Sequence, residues 1–239
     1  MKKIELRKVP CGETFTAFGD EFVVLDHIDG GVLSIRKDIW KSAPFDKDAN
    51  NNLREASITV ELAGYMALLR QNGATDDAFV PMHIDLKATD GTRAYGYYNI
   101  DIGLLTLEHY GKYKDIIPLV DDWWWLATPW STRWLRSPST VSSANAWLVH
   151  SNGGCDNDYC SSSWGVRPIL NFTSCLLVSL PGGSEEDAEE AEKMKKWEAY
   201  QTYICDWMEE NVSPVSSYGN SPLGFDEWLL DLYAPNEEQ

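Results

Sequence analysis

Trp123-Trp124-Trp125-Leu126-Ala127-Thr128-Pro129 and Trp164-Gly165-Val166-Arg167-Pro168-Ile169-Leu170 bracket the stretch whose reading decides the fold. Both ends are dense in aromatic or aliphatic side chains, which water solvates poorly, so both belong to a packed framework. Between them the character changes. Ser137-Pro138-Ser139-Thr140-Val141-Ser142-Ser143-Ala144-Asn145-Ala146 comes first, and Ser151-Asn152-Gly153-Gly154-Cys155-Asp156-Asn157-Asp158-Tyr159-Cys160-Ser161-Ser162-Ser163 follows. Rigid apolar walls around small polar residues and one tyrosine are what a displayed binding surface needs. A plain Ser-rich surface loop has the same composition.

The polar stretch sits in a chain able to build that framework. With 239 residues, 44% of them apolar and 11 Trp, it can bury a large core. The net charge is −17. Residues 185–239 hold fifteen acidic and three basic residues, a net of −12, which leaves −5 for the rest. So acidic a chain repels phosphate backbones, and no basic stripe interrupts it, so nucleic acid is not expected as a ligand. Met1-Lys2-Lys3 is not followed by the apolar run of a signal peptide, and no apolar stretch is long enough to span a membrane. Cys11, Cys155, Cys160, Cys175 and Cys205 are odd in number and scattered. That pattern indicates synthesis in a reducing cytosol, which a phage particle assembled there, or a surface-associated protein, shares.

In chain order, residues 13–37 read as a β-hairpin. Phe22–Leu25 and Val32–Ile35 flank Asp29-Gly30-Gly31, a turn rich in residues that accept positive φ. Residues 37–52 read as irregular, anchored by Trp40 and Phe45. A helix is expected over 54–71, with Ile58, Leu62, Tyr65 and Leu69 on one face and Asn72-Gly73 as a left-handed end. A strand is expected within 79–86, a turn at 89–92, and a short helix from an N-cap at Thr106 to about Lys114. Trp134-Leu135 and 145–150 read as strands. In the second, Trp147 and Val149 share one face, Ala146, Leu148 and His150 the other, and both faces are expected to be covered. Tyr159 and then 164–170 bring the chain back as another strand, which Pro168 confines to an edge or a bulge. Arg167, between apolar neighbours, is expected to have its charge paired.

Pro181-Gly182-Gly183 breaks the chain, giving domains 1–180 and 181–239. Ser184 then caps an acidic helix with the apolar stripe Met194, Trp197, Ile204 and Met208, and a second helix covers 225–233. These helices either pack on the domain or form an arm for self-association or partner docking; such stripes are usually core.

Chemistry-bearing motifs are sparse. His27, His83, His109 and His150 have no metal-ligand neighbours at helical spacing, and no nucleophile elbow, phosphate loop or dinucleotide fingerprint occurs. Asp156-Asn157-Asp158 starts like a calcium loop, but Ser161 and Arg167 stand where its Gly and Glu belong. The sequence calls for no metal and no cofactor.

The order Trp-Trp-Trp-Leu-Ala-Thr-Pro (123–129), Trp-Leu-Arg-Ser-Pro (134–138), Ala-Trp-Leu-Val (146–149), a Gly-containing turn (151–154) and Gly-Val-Arg-Pro-Ile-Leu (165–170) carries a resemblance. It is similar to the C-type-lectin-fold variable proteins diversified by retroelements in phages and bacteria. The front of the chain agrees, with its hairpin, Ser34–Ile39, and Leu105–Glu108 followed by Tyr110 and Tyr113; coverage is about 10–172. The resemblance implies an α+β fold of short helices around small antiparallel sheets, with an acidic helical extension outside it.

It further implies a non-enzymatic recognition protein whose binding face spans about 136–163 and meets an unknown protein or cell-surface ligand. The face would comprise Ser139, Thr140, Ser142, Ser143, Asn145, His150, Asn152, Asp156, Asn157, Asp158, Tyr159, Ser161, Ser162 and Ser163. Tyr159 would be its anchor. Trp124, Trp147, Trp164, Gly165, Arg167 and Pro168 would be fixed scaffold. In that family adenines are miscopied, so an AAC or AAT codon reaches any pyrimidine-ending codon and never Lys, Glu, Gln, Met or Trp. From Asp115 to Ser184 the chain has no Lys, Glu, Gln or Met. That gap is wider than the face, so ordinary selection for strands and turns also shapes it. The fold is shared with formylglycine-generating enzymes, whose chemistry uses a cysteine pair, so Cys155 and Cys160 define the enzyme alternative. The calcium-lectin signatures Glu-Pro-Asn and Trp-Asn-Asp are missing, and carbohydrate binding is not implied.

Overall fold

Alternating apolar residues and tight turns build most of this molecule from strands. The computed structural model describes residues 3–28, 30–132 and 143–180. The Trp134-Leu135 strand, the site residues Ser139, Thr140 and Ser142, and the extension 181–239 lie outside the described residues. The order is β1 (Lys3–Glu5), β2 (Thr14–Ala17), β3 (Asp20–Ile28), β4 (Gly31–Arg36), β5 (Lys41–Pro44), then α1 (Ile58–Gln71). Next come β6 (Met82–Asp85), β7 (Tyr97–Ile100), β8 (Ile102–Gly103) and α2 (Leu107–Tyr113). Last are β9 (Trp124–Pro129), β10 (Asn145–Val149), β11 (Cys155–Tyr159), β12 (Ser163–Val166), β13 (Ile169–Thr173) and β14 (Leu177–Ser179).

The result is an α+β architecture, mostly sheet. A seven-stranded sheet runs β1-β14-β2-β3-β4-β13-β8, a five-stranded sheet runs β11-β10-β9-β12-β5, and β6 pairs with β7. The β3–β4 hairpin matches its expected position. So does α2: Thr106 accepts a hydrogen bond from the His109 amide (3.1 Å), the contact an N-cap makes. Helix α1 closes as expected at Gly73, with φ +96°. Its amide donates to Arg70 O and that of Ala74 to Leu69 O (both 3.0 Å), the two bonds of a Schellman end.

Several expectations are corrected. Helix α1 starts at Ile58, not Arg54, because buried Asp46 takes the chain before it. Its carboxylate accepts the amides of Ser57 (2.7 Å), Asp48 (3.0 Å) and Asn50 (2.9 Å), and Ile58 N donates to Phe45 O (3.0 Å). Residues 41–44 are a strand paired with β12, within a segment read as irregular. Cys155–Tyr159 is likewise a strand, longer than the return expected at Tyr159. Pro168 sits at neither an edge nor a bulge. It is buried between β12 and β13, where the chain passes from one sheet to the other, and β13 lies inside its sheet.

Among the described residues, Arg167 has no carboxylate partner. It is fully buried, and its guanidinium donates to three backbone carbonyls: Arg36 O (2.8 Å), Pro118 O (3.0 Å) and Lys37 O. It also lies over the Trp124 ring, 5.2 Å from the centroid. Burial pushes its pKa down to about 10, which leaves it charged at neutral pH.

Helix α2 is tied to β3 by an ion pair. Lys112 Nζ (2.6 Å) and Tyr113 OH (2.7 Å) both donate to Asp26 Oδ2. The Lys112 bond first, and then that from Tyr113, holds the Asp26 carboxyl below its usual 3.8. A depressed carboxyl stabilises the fold above its unfolded pKa and loses that contribution as pH falls through the folded one. Asp26→Asn is therefore expected to melt below wild type at pH 7, with the gap closing as pH drops below 3.8. Melting curves at pH 7 and pH 3 check this; a constant gap would show that the carboxylate charge contributes nothing.

Candidate functional site

The polar stretch folds as an antiparallel hairpin, β10–β11, with β11 as the end strand of the five-stranded sheet among the described residues. Its register pairs Asn145 with Tyr159, Trp147 with Asn157 and Val149 with Cys155. The tip is a Gly-containing turn: Gly153 has φ +83°, and His150 N donates to Gly154 O (2.7 Å). Tyr110 OH donates to Gly153 O (2.9 Å), fastening the tip to α2. At the other end, buried Asn51 donates through Nδ2 to Asn145 O (2.9 Å) and Ser131 O (2.8 Å).

Strand alternation divides the expected site residues between two faces. Asn145, Asn157 and Tyr159 share one face with Trp147. Asn145 Nδ2 donates to Asn157 Oδ1 (3.0 Å), and Tyr159 is 62% exposed. Trp147 was expected on a strand covered on both sides. It is instead half-buried and tilted against Trp130 at 5.0 Å, with its Nε1 donating to Thr89 Oγ1 (3.3 Å). The strand is therefore not covered on this side, where Trp147 lies directly opposite Asn157.

The opposite face buries Ala146 and Leu148 in the core. Asp156 and Asp158 project on that side, so they do not join Asn157 and Tyr159 in one patch. Asp158 is committed internally, its Oδ2 accepting from Trp164 Nε1 (2.8 Å). Trp164 then packs against Trp123 (4.8 Å), and Trp123 stacks on His150 (4.0 Å, 12°). His150 Nε2 is buried without a hydrogen-bond partner, 3.9 Å from Asp156 Oδ2. Asn152 is exposed in the turn, its amide oxygen accepting from Gly154 N (2.9 Å). Ser161 and Ser163 are exposed beyond Tyr159, Ser162 N donates to Tyr159 O (2.9 Å), and Ser143 enters β10 with its carbonyl on Asn51 N (3.1 Å).

The backing is rigid. Trp124 is buried edge-on to Tyr110 at 5.7 Å. A Cβ on Gly165 would come within 2.8 Å of Trp123 O and 2.7 Å of Ile39 Cδ1, so only glycine fits there. Sequence reasoning missed Thr89 and Trp130 as part of this surface. Trp130 extends the tryptophan run, a usable signal, whereas nothing local marks Thr89. Beyond Thr89 opens a polar cleft of about 440 Å³, lined by His83, Lys87, Arg93, Tyr97, Glu108 and His109 among others.

The two cysteines of the enzyme alternative are both free thiols, Cys155 exposed and Cys160 buried. Burial raises both above the ordinary thiol range, the reverse of what a thiolate nucleophile needs. Among the described residues, no three His, Cys, Asp or Glu side chains are grouped to hold a metal, and no helix is long and apolar enough to cross a membrane. No protein-family model, curated protein or solved structure matches this chain.

Proposed function

We propose that this chain is a non-enzymatic recognition protein of the C-type-lectin-fold variable kind, with β10–β11 and its flanking turns as a retroelement-diversified binding face. One observation carries the reading. The only long segment free of Lys, Glu, Gln and Met contains a hairpin that sets half-buried Asn145 and Asn157 and exposed Tyr159 on one face with a tryptophan. On this account Trp130 and Trp147 form a constant aromatic floor, since Trp lies outside the codons adenine miscopying produces. The three residues around them set specificity. The partner is a protein or cell-surface ligand, and a protein would bury on the order of 800 Å² per side. The α+β architecture with two sheets and short helices is compatible with the fold this requires.

Sequencing the surrounding locus tests the reading. A near-copy of the codons for Trp134 to Leu170 is expected beside a reverse transcriptase, with mismatches at template adenines, including those behind Asn145, Asn157 and Tyr159. Mismatches spread over all four template bases would sink it.

A further inference from the structure

An open strand edge invites another strand, and natural edges carry devices against it. Among the described residues, strand β11 is such an edge, pairing with β10 alone. The ladder bonds fix which backbone groups point outward. His150 N bonds Gly154 O and Cys160 N bonds Ala144 O, so the hydrogen-bonded pairs between them are 148/156 and 146/158. The amides of Cys155, Asn157 and Tyr159 therefore face away from β10, toward the open edge. Two of the three are occupied by a neighbouring carboxylate. Asn157 N donates to Asp156 Oδ1 (2.8 Å), and Tyr159 N donates to Asp158 Oδ1 (2.7 Å).

We propose that Asp156 and Asp158 guard β11 against pairing with the same edge of a second copy of this chain. Two physical effects act together. Each carboxylate takes the donor that an incoming strand would need, and a charged acceptor holds an amide more strongly than a neutral carbonyl does. The second effect is charge. An antiparallel self-pairing that uses all five residues of β11 has its twofold axis at Asn157, which sets Cys155 opposite Tyr159 and Asp156 opposite Asp158 of the other copy. That register brings two like-charged pairs face to face, and like charges directly opposite destabilise a sheet. No lysine or arginine lies between Ala144 and Val166 to offset them. The occupant that both effects exclude is thus the isologous partner, which meets the strand with its own two carboxylates.

Sedimentation velocity on the full-length chain tests the guard. D156A/D158A is expected to associate with concentration, doubling its mass relative to wild type, with the Asn157 and Tyr159 amides slowed in hydrogen exchange. Adding N157P should return it to the wild-type mass, because the lost N–H is an outward one that β10 does not use. Losing the Asp158–Trp164 bond puts the fold of the double variant at risk, so D156A alone, which keeps that bond, is run beside it. Wild-type mass for D156A and for any folded double variant overturns the proposal. So does association that N157P fails to reverse. The outcome is independent of the binding-face reading, which stands or falls on the locus.

Discussion

Replacing Arg167 with Ala is expected to destabilise the fold by roughly 3–5 kcal/mol, in the range for stripping a buried, fully bonded charge site of one member. The guanidinium is fully buried and serves Arg36 O, Pro118 O and Lys37 O together. Each carbonyl left unmet costs about 1–3 kcal/mol, and relaxation around the cavity recovers part of the sum. The three acceptors come from two separate segments, 36–37 and 118, so one side chain stitches the β4–β5 connection to the loop ahead of β9. Arg167→Lys should recover less than half of the loss, because a single ammonium does not reach three carbonyls set for a planar fork. A urea midpoint that falls at unchanged m-value is the expected signature. A shift below about 1 kcal/mol for Arg167→Ala would mean that water replaces the guanidinium.

The second large effect separates two neighbouring tryptophans. Trp125 is fully buried, packs edge-on to Phe45 at 5.7 Å and donates to Ala43 O (3.0 Å). Trp125→Ala is expected to cost roughly 3–5 kcal/mol through the cavity it leaves. Trp147, across the ladder on half-exposed ground, should cost only about 1–2 kcal/mol, near the middle of the range for point changes. Asn157→Ala and Tyr159→Ala should stay near 0.5 kcal/mol, as surface substitutions do. Parallel denaturation curves rank the four. If Tyr159→Ala unfolds the domain as badly as Trp125→Ala, the hairpin belongs to the core and cannot be a display surface.

The features legible in the sequence were those whose cause lies within a few residues. Thr106 caps its helix through an amide three positions away, Gly73 ends α1 because its own φ is positive, and the β3–β4 turn is drawn by its glycines. What escaped has distant causes. Nothing near Arg167 announces three carbonyls 49 to 131 residues away. Residues 41–44 are a strand only because β12 lies beside them. Cys155–Tyr159 has poor strand propensity, with three Asp or Asn in five residues, and is extended because β10 templates it. The described residues expected to form a binding face fall on or beside the β10–β11 hairpin. Their division between two faces depends on register, which composition does not encode.

The position of β13 has a consequence in time. It pairs with β4 on one side and β8 on the other, and β14 lies between β1 and β2. Strands β2, β3 and β4 leave the ribosome long before either. From Arg36 to Ile169 the chain grows by about 130 residues, which at about 5–20 residues per second takes on the order of ten seconds. Throughout that interval the outer edge of β4 waits unpaired, with Val32 and Ile35 uncovered on their way to a core they cannot yet complete. Nascent chains are therefore most open to aggregation until β13, which follows the hairpin β10–β11, has been made, and holdase chaperones acting before that point should govern yield.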